Sequence, residues 1–286
     1  MLALSMAALF QPNPASAGEQ RVAIIDWAML ETSLAIGKVP VAATELMQFR
    51  LTAIEPDVPE SVADLGLRGT PNFEMLRMAA PDLILSSNFY EHRRASFEKV
   101  APVFSMPVYE PGMPPFGLAE KLTLALGERL DRRVQARNYV VETQAKIDDL
   151  RIRLQEQNHR PVFLISIGDA RHFRAFGNDS MFGEVLRKMG FSNAWSGASS
   201  YSATAPVGLE ALARVPEASI AIIGPIPPEA RRALPASALW NALPAVRDGR
   251  AVTLDPINHF GALPAARRFA RIFADSPLFA GSASDD

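Results

Sequence analysis

The chain has 286 residues, 48% of them apolar and 21% charged, with a net charge of -2 and no cysteine. This composition gives one large or two ordinary domains with a real core, and no basic excess to neutralise phosphates or a membrane surface. Disulfides, iron–sulfur clusters and thiol chemistry are excluded within these residues, and no apolar run reaches the ~18 residues of a spanning helix.

The first residues, MLALSMAALF, form a short apolar run, followed by Pro12 to Ala17, which ends in Ala15-Ser16-Ala17. Small residues there suit signal-peptidase cleavage before Gly18, so residues 1–17 are expected to be an export leader. No Lys or Arg precedes Arg21, so the leader's positive segment is missing, as it would be if translation starts further upstream.

Val22 to Ile25 is a buried-strand pattern, and Trp27 to Leu34 a helix stopped at Gly37. Val39 to Ala43 is a second strand. Gln48 to Pro59 carries prolines without clear periodicity and is expected to be loop. Thr70 as N-cap with Pro71 at the first helical position starts a helix to Met78. Asp82 to Leu85 is a strand, Ser86 to His92 its exit loop, and Val103-Phe104 another strand. Phe116 to Leu126 is helical.

Glu128 to Arg160 contains neither Gly nor Pro and is rich in helix formers with opposite charges at three- and four-residue spacing. A helix over most of it would be roughly 40 Å long. At about 100° per residue, Leu130, Val134 and Val141 share one face, and Ala136, Val140, Ile147, Leu150 and Leu154 share another. Two stripes suit a helix that leans first on one body and then on a second. The expectation is a spacer helix over 128–160, joining lobes at 18–127 and 161–286.

Beyond it, Val162 to Ile167 is a strand and His172 to Phe176 reads as the second arm of a hairpin. Ser180 to Met189 is a helix, Val207 to Ala213 starts another, and Ser219 to Ile223 is a strand. Trp240 to Val246 is a short helix, Val252 to Leu254 a strand, and Leu263 to Phe273 the closing helix. PNFEMLRMAAPDLILSS and VGLEALARVPEASIAIIGP share one plan, with Glu74 and Glu210 in matching places. The expected fold is therefore α/β, two similar lobes joined by a single long rigid helix, with the ligand cleft between them at the C-terminal ends of the strands.

No dinucleotide fingerprint, phosphate loop, zincin His pair or nucleophile elbow is present, so no enzyme chemistry is expected. The four histidines have no carboxylates spaced for a metal site. Arg68, in a Gly-Leu-Arg-Gly turn before a helix, is placed to aim a guanidinium fork at anionic or strongly polar oxygens. Phe89 and Tyr90, Trp195 and Tyr201, and Asn258, His259 and Phe260 put aromatic and polar groups on loops around the expected cleft.

Three long segments carry a resemblance: FRLTAIEPDVPESVADLGLRGTPNFEML, DARHFRAFGNDSMFGEVLRKMGFSNAW and HFGALPAARRF. Across nearly the whole mature chain the sequence resembles the periplasmic substrate-binding proteins of bacterial ABC importers whose lobes are joined by one helix. It looks most like the ferric hydroxamate (ferrichrome-type) siderophore-binding members. The resemblance implies a soluble, monomeric periplasmic protein without a cofactor. It would capture a ferric hydroxamate siderophore and hand it to a membrane permease and its ATPase. The iron is held by the siderophore, so no protein metal ligands are implied. Arg68 matches the family's hydroxamate-binding arginine. The family's next aromatic falls at Phe89 or Tyr90, its second-lobe tryptophan near Tyr201 or Ser202, and its closing aromatic cluster at Asn258, His259 and Phe260. These last positions depart from the family pattern and leave the particular siderophore open. Glu74 and Glu210 match the glutamates, one per lobe, that dock related proteins onto permease arginines. Another iron chelate, haem or cobalamin on the same architecture, or a siderophore-processing enzyme, are the alternatives.

Overall fold

The computed structural model describes residues 19–157, 160–199 and 203–279. The expected leader, Tyr201 and Ser202 lie outside them.

The first lobe alternates strand and helix: β1 (Val22–Ile24), α1 (Trp27–Ala35), β2 (Ala42–Ala43), α2 (Leu46–Thr52), β3 (Ala63–Asp64), α3 (Phe73–Met78), β4 (Leu83–Ser86), α4 (Arg94–Phe97) and β5 (Val103–Ser105). Its strands form one sheet in the order β3-β2-β1-β4-β5, all parallel. The near-continuous apolar character of β1 and β4 follows, because a parallel sheet is covered on both faces. Both strands are fully buried. The chain reverses direction through the sheet at β1, between β2 and β4, and a crevice forms at such a switch point.

Two helices follow, α5 (Pro115–Arg129) and α6 (Arg133–Leu154). The second lobe contains β6 (Val162–Ile167), β7 (His172–Ala175), α7 (Met181–Lys188), β8 (Val207–Gly208), β9 (Ser219–Ile223), α8 (Pro228–Ala233), α9 (Ala238–Ala242), α10 (Pro244–Arg247), β10 (Ala251–Leu254) and α11 (Leu263–Ala274). Its sheet runs β10-β9-β6-β7-β8. Strands β10, β9 and β6 are parallel, while β7 and β8 pair antiparallel. The expected two-lobed α/β architecture is present, including the hairpin at His172, but the second sheet is mixed where the first is wholly parallel.

Several local expectations are corrected. The spacer helix is α6 alone, 22 residues and about 33 Å long. Asp131, at φ 53°, separates it from α5, which takes Glu128 and Arg129. It has one buried stripe, Ala136, Thr143, Ile147, Leu150 and Leu154, while Val134 and Val141 are exposed. Part of the stretch expected as loop from Gln48 is helical as α2, which buries just Leu46 and Phe49. The cap of α3 is Asn72, not Thr70; its side chain accepts from the Glu74 and Met75 amides at 3.0 and 3.1 Å. The segment after β8 is a 3₁₀ turn, Leu209–Arg214, rather than an α-helix.

Helix α6 is not the sole link between the lobes. One apolar core runs from β1 and β4 through α1, α5 and α6 to α7, β9 and α11. Polar bonds cross it as well. The buried Glu31 carboxyl of α1 accepts from the Asn258 side chain at 3.1 Å and from the Ala262 amide at the start of α11. Phe116 donates its amide to Glu184 at 2.9 Å. Large lobe rotation would tear this core, so the expected effect of ligand on small-angle scattering is no change in radius of gyration within error. A contraction beyond about 1 Å would instead reveal hinge closure.

Candidate ligand cleft

The site grows from the ends of β1 and β4. Asp26 follows β1 and caps α1, accepting from the Ala28 and Met29 amides at 2.8 and 3.2 Å. Its second oxygen accepts from the Ser87 hydroxyl, just past β4, at 2.8 Å. Burial raises the Asp26 carboxyl above its ordinary value, opposed by those donors. The cap fixes the first residue of α1, Trp27. The Trp27 indole N–H donates to the Thr44 carbonyl at 3.1 Å, and its ring packs edge-on against Phe49 at 5.4 Å.

Arg68 lies over the Trp27 ring, with its guanidinium carbon 4.0 Å from the ring centroid. Arg68 reaches this position through a turn in which Gly66 takes φ 72°, a left-handed conformation that glycine adopts without strain. The Asp64 side chain receives the Gly66 amide at 2.8 Å and the Leu46 amide at 3.0 Å, tying this turn to α2. Glu45 then grips Arg68 twice. Its carboxylate accepts from the backbone amide at 3.0 Å and from Nε at 2.7 Å. A cation stacked on an indole and held by a carboxylate has lost most of its rotamer freedom before any ligand arrives. With Nε on Glu45 and a further side-chain hydrogen bond to Tyr90, the remaining donors of the fork are left to meet a ligand.

Phe89 and Tyr90 stand on the 3₁₀ turn Asn88–Arg93 that leaves β4. Burial pushes the Tyr90 phenol up to about 12, with the adjacent Arg68 charge opposing the rise, so the hydroxyl is a donor throughout the physiological range. Phe260 reaches over from the second lobe, edge-on to Phe89 at 5.9 Å and to Tyr109 at 5.7 Å. The Tyr109 hydroxyl donates to the Gly261 carbonyl at 2.6 Å and holds that loop. Asp26, Trp27, Arg68, Phe89, Tyr90 and Phe260 together line a cleft of about 260 Å³. Its lining is largely aromatic, its one guanidinium is paired with Glu45, and its Arg68 and Tyr90 side chains can donate hydrogen bonds. This suits a ligand with an apolar exterior and a few exposed oxygens.

Of the residues singled out from sequence, Arg68, Phe89, Tyr90 and Phe260 come together here. Trp195 does not. It packs on Phe173 at 6.0 Å and lines a separate cavity of about 230 Å³ that shares no residue with the cleft. Asn258 is turned inward onto Glu31, and 3% of its surface is exposed. The His259 ring packs against Phe176 and Phe182 at 4.9 and 6.1 Å, and burial lowers it to about 4, so it is neutral. Tyr201 and Ser202 fall outside the described residues. Glu74 and Glu210 are exposed in the first turns of α3 and of the Leu209–Arg214 turn. Asp26, Trp27, Glu45 and Tyr109 were not foreseen. The signal for the first two was their place just after a buried strand, where ligands bind in such sheets. Among the described residues, no group of three or more His, Asp or Glu side chains could hold a metal ion, and no helix is long and apolar enough to cross a membrane.

Residues 22–257, most of the chain, match the Periplasmic binding protein family. The chain belongs to that family. Among its periplasmic binding protein relatives is the iron(3+)-hydroxamate-binding protein FhuD of Escherichia coli strain K12, 29% identical over 92% of this chain and 90% of that protein. The Fe(3+)-citrate-binding protein YfmC of Bacillus subtilis strain 168 is 22% identical over 82% of this chain and 73% of its own length. In three dimensions the chain superposes on the Fe3+-Desferal-bound siderophore-binding protein FhuD of Vibrio cholerae with a TM-score of 0.86, at 25% identity, covering 91% of this chain and 98% of that one.

Proposed function

We propose that this chain is the extracytoplasmic binding component of an ABC-type iron importer and that its cargo is a ferric hydroxamate siderophore. Family membership and the similarity to the hydroxamate-binding relatives support the class. The observation that carries the ligand is Arg68, stacked on Trp27, fixed by Glu45 and beside Tyr90 in an aromatic cleft. Hydroxamate oxygens around a ferric ion are strong acceptors, matched by a guanidinium and a phenol. A tris-hydroxamate ferric complex is neutral at its core, whereas a tris-catecholate complex is trianionic. A cleft whose one guanidinium is already paired with the Glu45 carboxylate favours the neutral complex. The siderophore supplies all the iron ligands, and the protein supplies shape, donors and aromatic contact. It acts as a binder rather than a catalyst, in the periplasm, as a monomer.

Titration of tryptophan fluorescence in the chain from Gly18 tests this, because Trp27 forms part of the cleft. Ferric desferrioxamine, ferrichrome or ferric aerobactin is expected to quench saturably, with a ferric catecholate and cobalamin as comparisons. Binding of the catecholate or cobalamin alone would overturn the ligand and leave the transport role. Silence with every ligand would overturn both.

Docking onto the permease falls to Glu74 and Glu210, one exposed carboxylate on each lobe. Both lie clear of the cleft lining. Reversing both charges, Glu74→Lys with Glu210→Lys, is expected to leave siderophore affinity unchanged and to slow uptake in cells severalfold. Wild-type uptake by the double variant would rule the pair out as docking residues.

A further inference from the structure

Helix α1 has the ligand cleft at its first residue, Trp27, and a second, larger cavity at its last, Ala35. This second cavity, of about 450 Å³, lies where the first lobe, α6 and α11 meet, and it shares no lining residue with the cleft. Its volume falls in the ~300–1,000 Å³ range of small-molecule sites.

Its lining is strongly basic. Lys146 comes from α6 and Arg267, Arg268 and Arg271 from α11, against a single lining carboxylate, Glu55. Arg268 is 5% exposed, and its Nε donates to the Pro256 carbonyl at 3.2 Å. Glu55 is seated on the arginines: it accepts from Arg268 at 2.7 Å and from Arg271 at 2.7 and 2.9 Å. The wall thus already holds one carboxylate in a two-arginine grip. Other carboxylates stand further off, Asp255 at 3.9 Å from Arg268 and Glu142 at 3.5 Å from Arg267. Arg267 sits by the Tyr139 ring, its guanidinium carbon 5.6 Å from the centroid, and hydrogen-bonds the Tyr139 hydroxyl, which leaves the rest of its fork to the cavity. The Lys146 ammonium has no hydrogen bond or ion pair among the described residues. A free ammonium and a weakly paired guanidinium facing one concave, partly apolar wall concentrate positive potential in the cavity.

We propose that this cavity is a second ligand site, which takes a small anion through a carboxylate or phosphate group. Lys146 and Arg267 hold one group as Arg268 and Arg271 hold Glu55, with the forked geometry that guanidinium offers to both anion types. A molecule seated there touches the Glu55–Pro56 loop, α6 and α11 together, so it clamps the first lobe to the second from the side opposite the siderophore. This site is independent of the ligand assigned to the cleft.

The test uses the full chain at about 25 mM salt, since higher ionic strength screens such binding. Pyrophosphate and citrate are the free probes, with vesicles of phosphatidylglycerol in phosphatidylcholine as the membrane arm. At about 5 mM, either free anion is expected to raise Tm by roughly 2–4 °C and to give a calorimetric binding isotherm. The double variant Lys146→Gln, Arg267→Gln is expected to weaken binding at least about tenfold, Lys146→Arg to retain it, and Arg68→Ala to leave it unchanged. Vesicle association lost in the double variant would support the same site, with a lipid headgroup as its source of phosphate. Three results overturn the proposal: no response to free anion or vesicle, an equal response in the double variant, or loss of the response in Arg68→Ala, which would place the anion in the cleft.

Discussion

Replacing Arg68 by alanine is expected to weaken ferric hydroxamate binding by about 10- to 100-fold while the fold survives, because one charge-assisted hydrogen-bonding group is worth roughly 1.5–3 kcal/mol. The loss comes from two sources. The ligand's oxygens lose a fixed donor, and the Glu45 carboxylate, 17% exposed, loses its partner and turns a repulsive charge toward the cleft. Glu45 keeps the backbone amide at residue 68, so the turn itself is retained. Arg68→Lys restores the charge but neither the flat face on Trp27 nor the fork, and is expected to recover only part of the affinity. Glu45→Gln separates the roles: it leaves the arginine's charge in place and releases its grip, so affinity falls less than in Arg68→Ala. Fluorescence titration and thermal unfolding on the same samples distinguish the outcomes. Affinity unchanged in Arg68→Ala would remove Arg68 from the binding site. A collapse of Tm with the affinity would make its role structural.

The pattern of what could be read from sequence has a physical basis. Arg68 was legible because a glycine-flanked turn has few purposes other than to aim a side chain, and Gly66 does take the left-handed conformation there. Trp27 was not, because at the start of an apolar helix it looks like core. It is core, 4% exposed, yet one face of its ring supports the arginine. Glu45 lies 23 residues before Arg68, and nothing local announces the pair. The loop after β10 shows the opposite failure. Asn258, His259 and Phe260 read as one cluster, but consecutive residues of an irregular loop point in different directions. The first turns to Glu31, the second to Phe176 and Phe182, and the third crosses to Phe89 and Tyr109. The two stripes expected on the spacer helix fail for a related reason. The apolar periodicity continues across Asp131, but a positive φ there resets the helical phase and leaves Leu130 as the C-terminal cap of α5. The longer strands were legible, since buried strands are short apolar runs wherever they occur. The two-residue strands β3 and β8 were not, because two residues carry no periodicity and Val207 reads as the start of a helix.

Glu31 is the strongest test of how the lobes are joined. It is fully buried on α1, and its carboxyl is surrounded by donors from the second lobe: the Asn258 amide at 3.1 Å, the Ala262 amide, and the Ala265 amide at 3.4 Å. Glu31→Ala strands these donors and opens a void, so it is expected to cost about 3 kcal/mol or more, which lowers Tm by roughly 10 °C in a chain of this size. The pH dependence separates the carboxyl from mere bulk. Desolvation raises Glu31 from 4.5 to about 8, against the pull of its donors. The native protein therefore keeps the proton over a range in which the unfolded chain has released it. Stability contributed by this proton is complete below about pH 4.5 and is lost as pH rises through about 8. His259 acts in the opposite sense and in another window. Lowered from 6.5 to about 4 by burial, it contributes stability above pH 6.5 that is lost as pH falls through about 4. Between pH 6.5 and 9, Glu31 is therefore read without His259. Wild-type Tm is expected to decline across that interval, and Glu31→Gln, which keeps one acceptor oxygen and cannot ionise, to decline distinctly less. Parallel curves for the two proteins would mean that Glu31 is already ionised in the folded state and that the donors of α11 and Asn258, rather than burial, set its charge. A loss of only about 1 kcal/mol in Glu31→Ala would show that the continuous apolar core alone holds the lobes together.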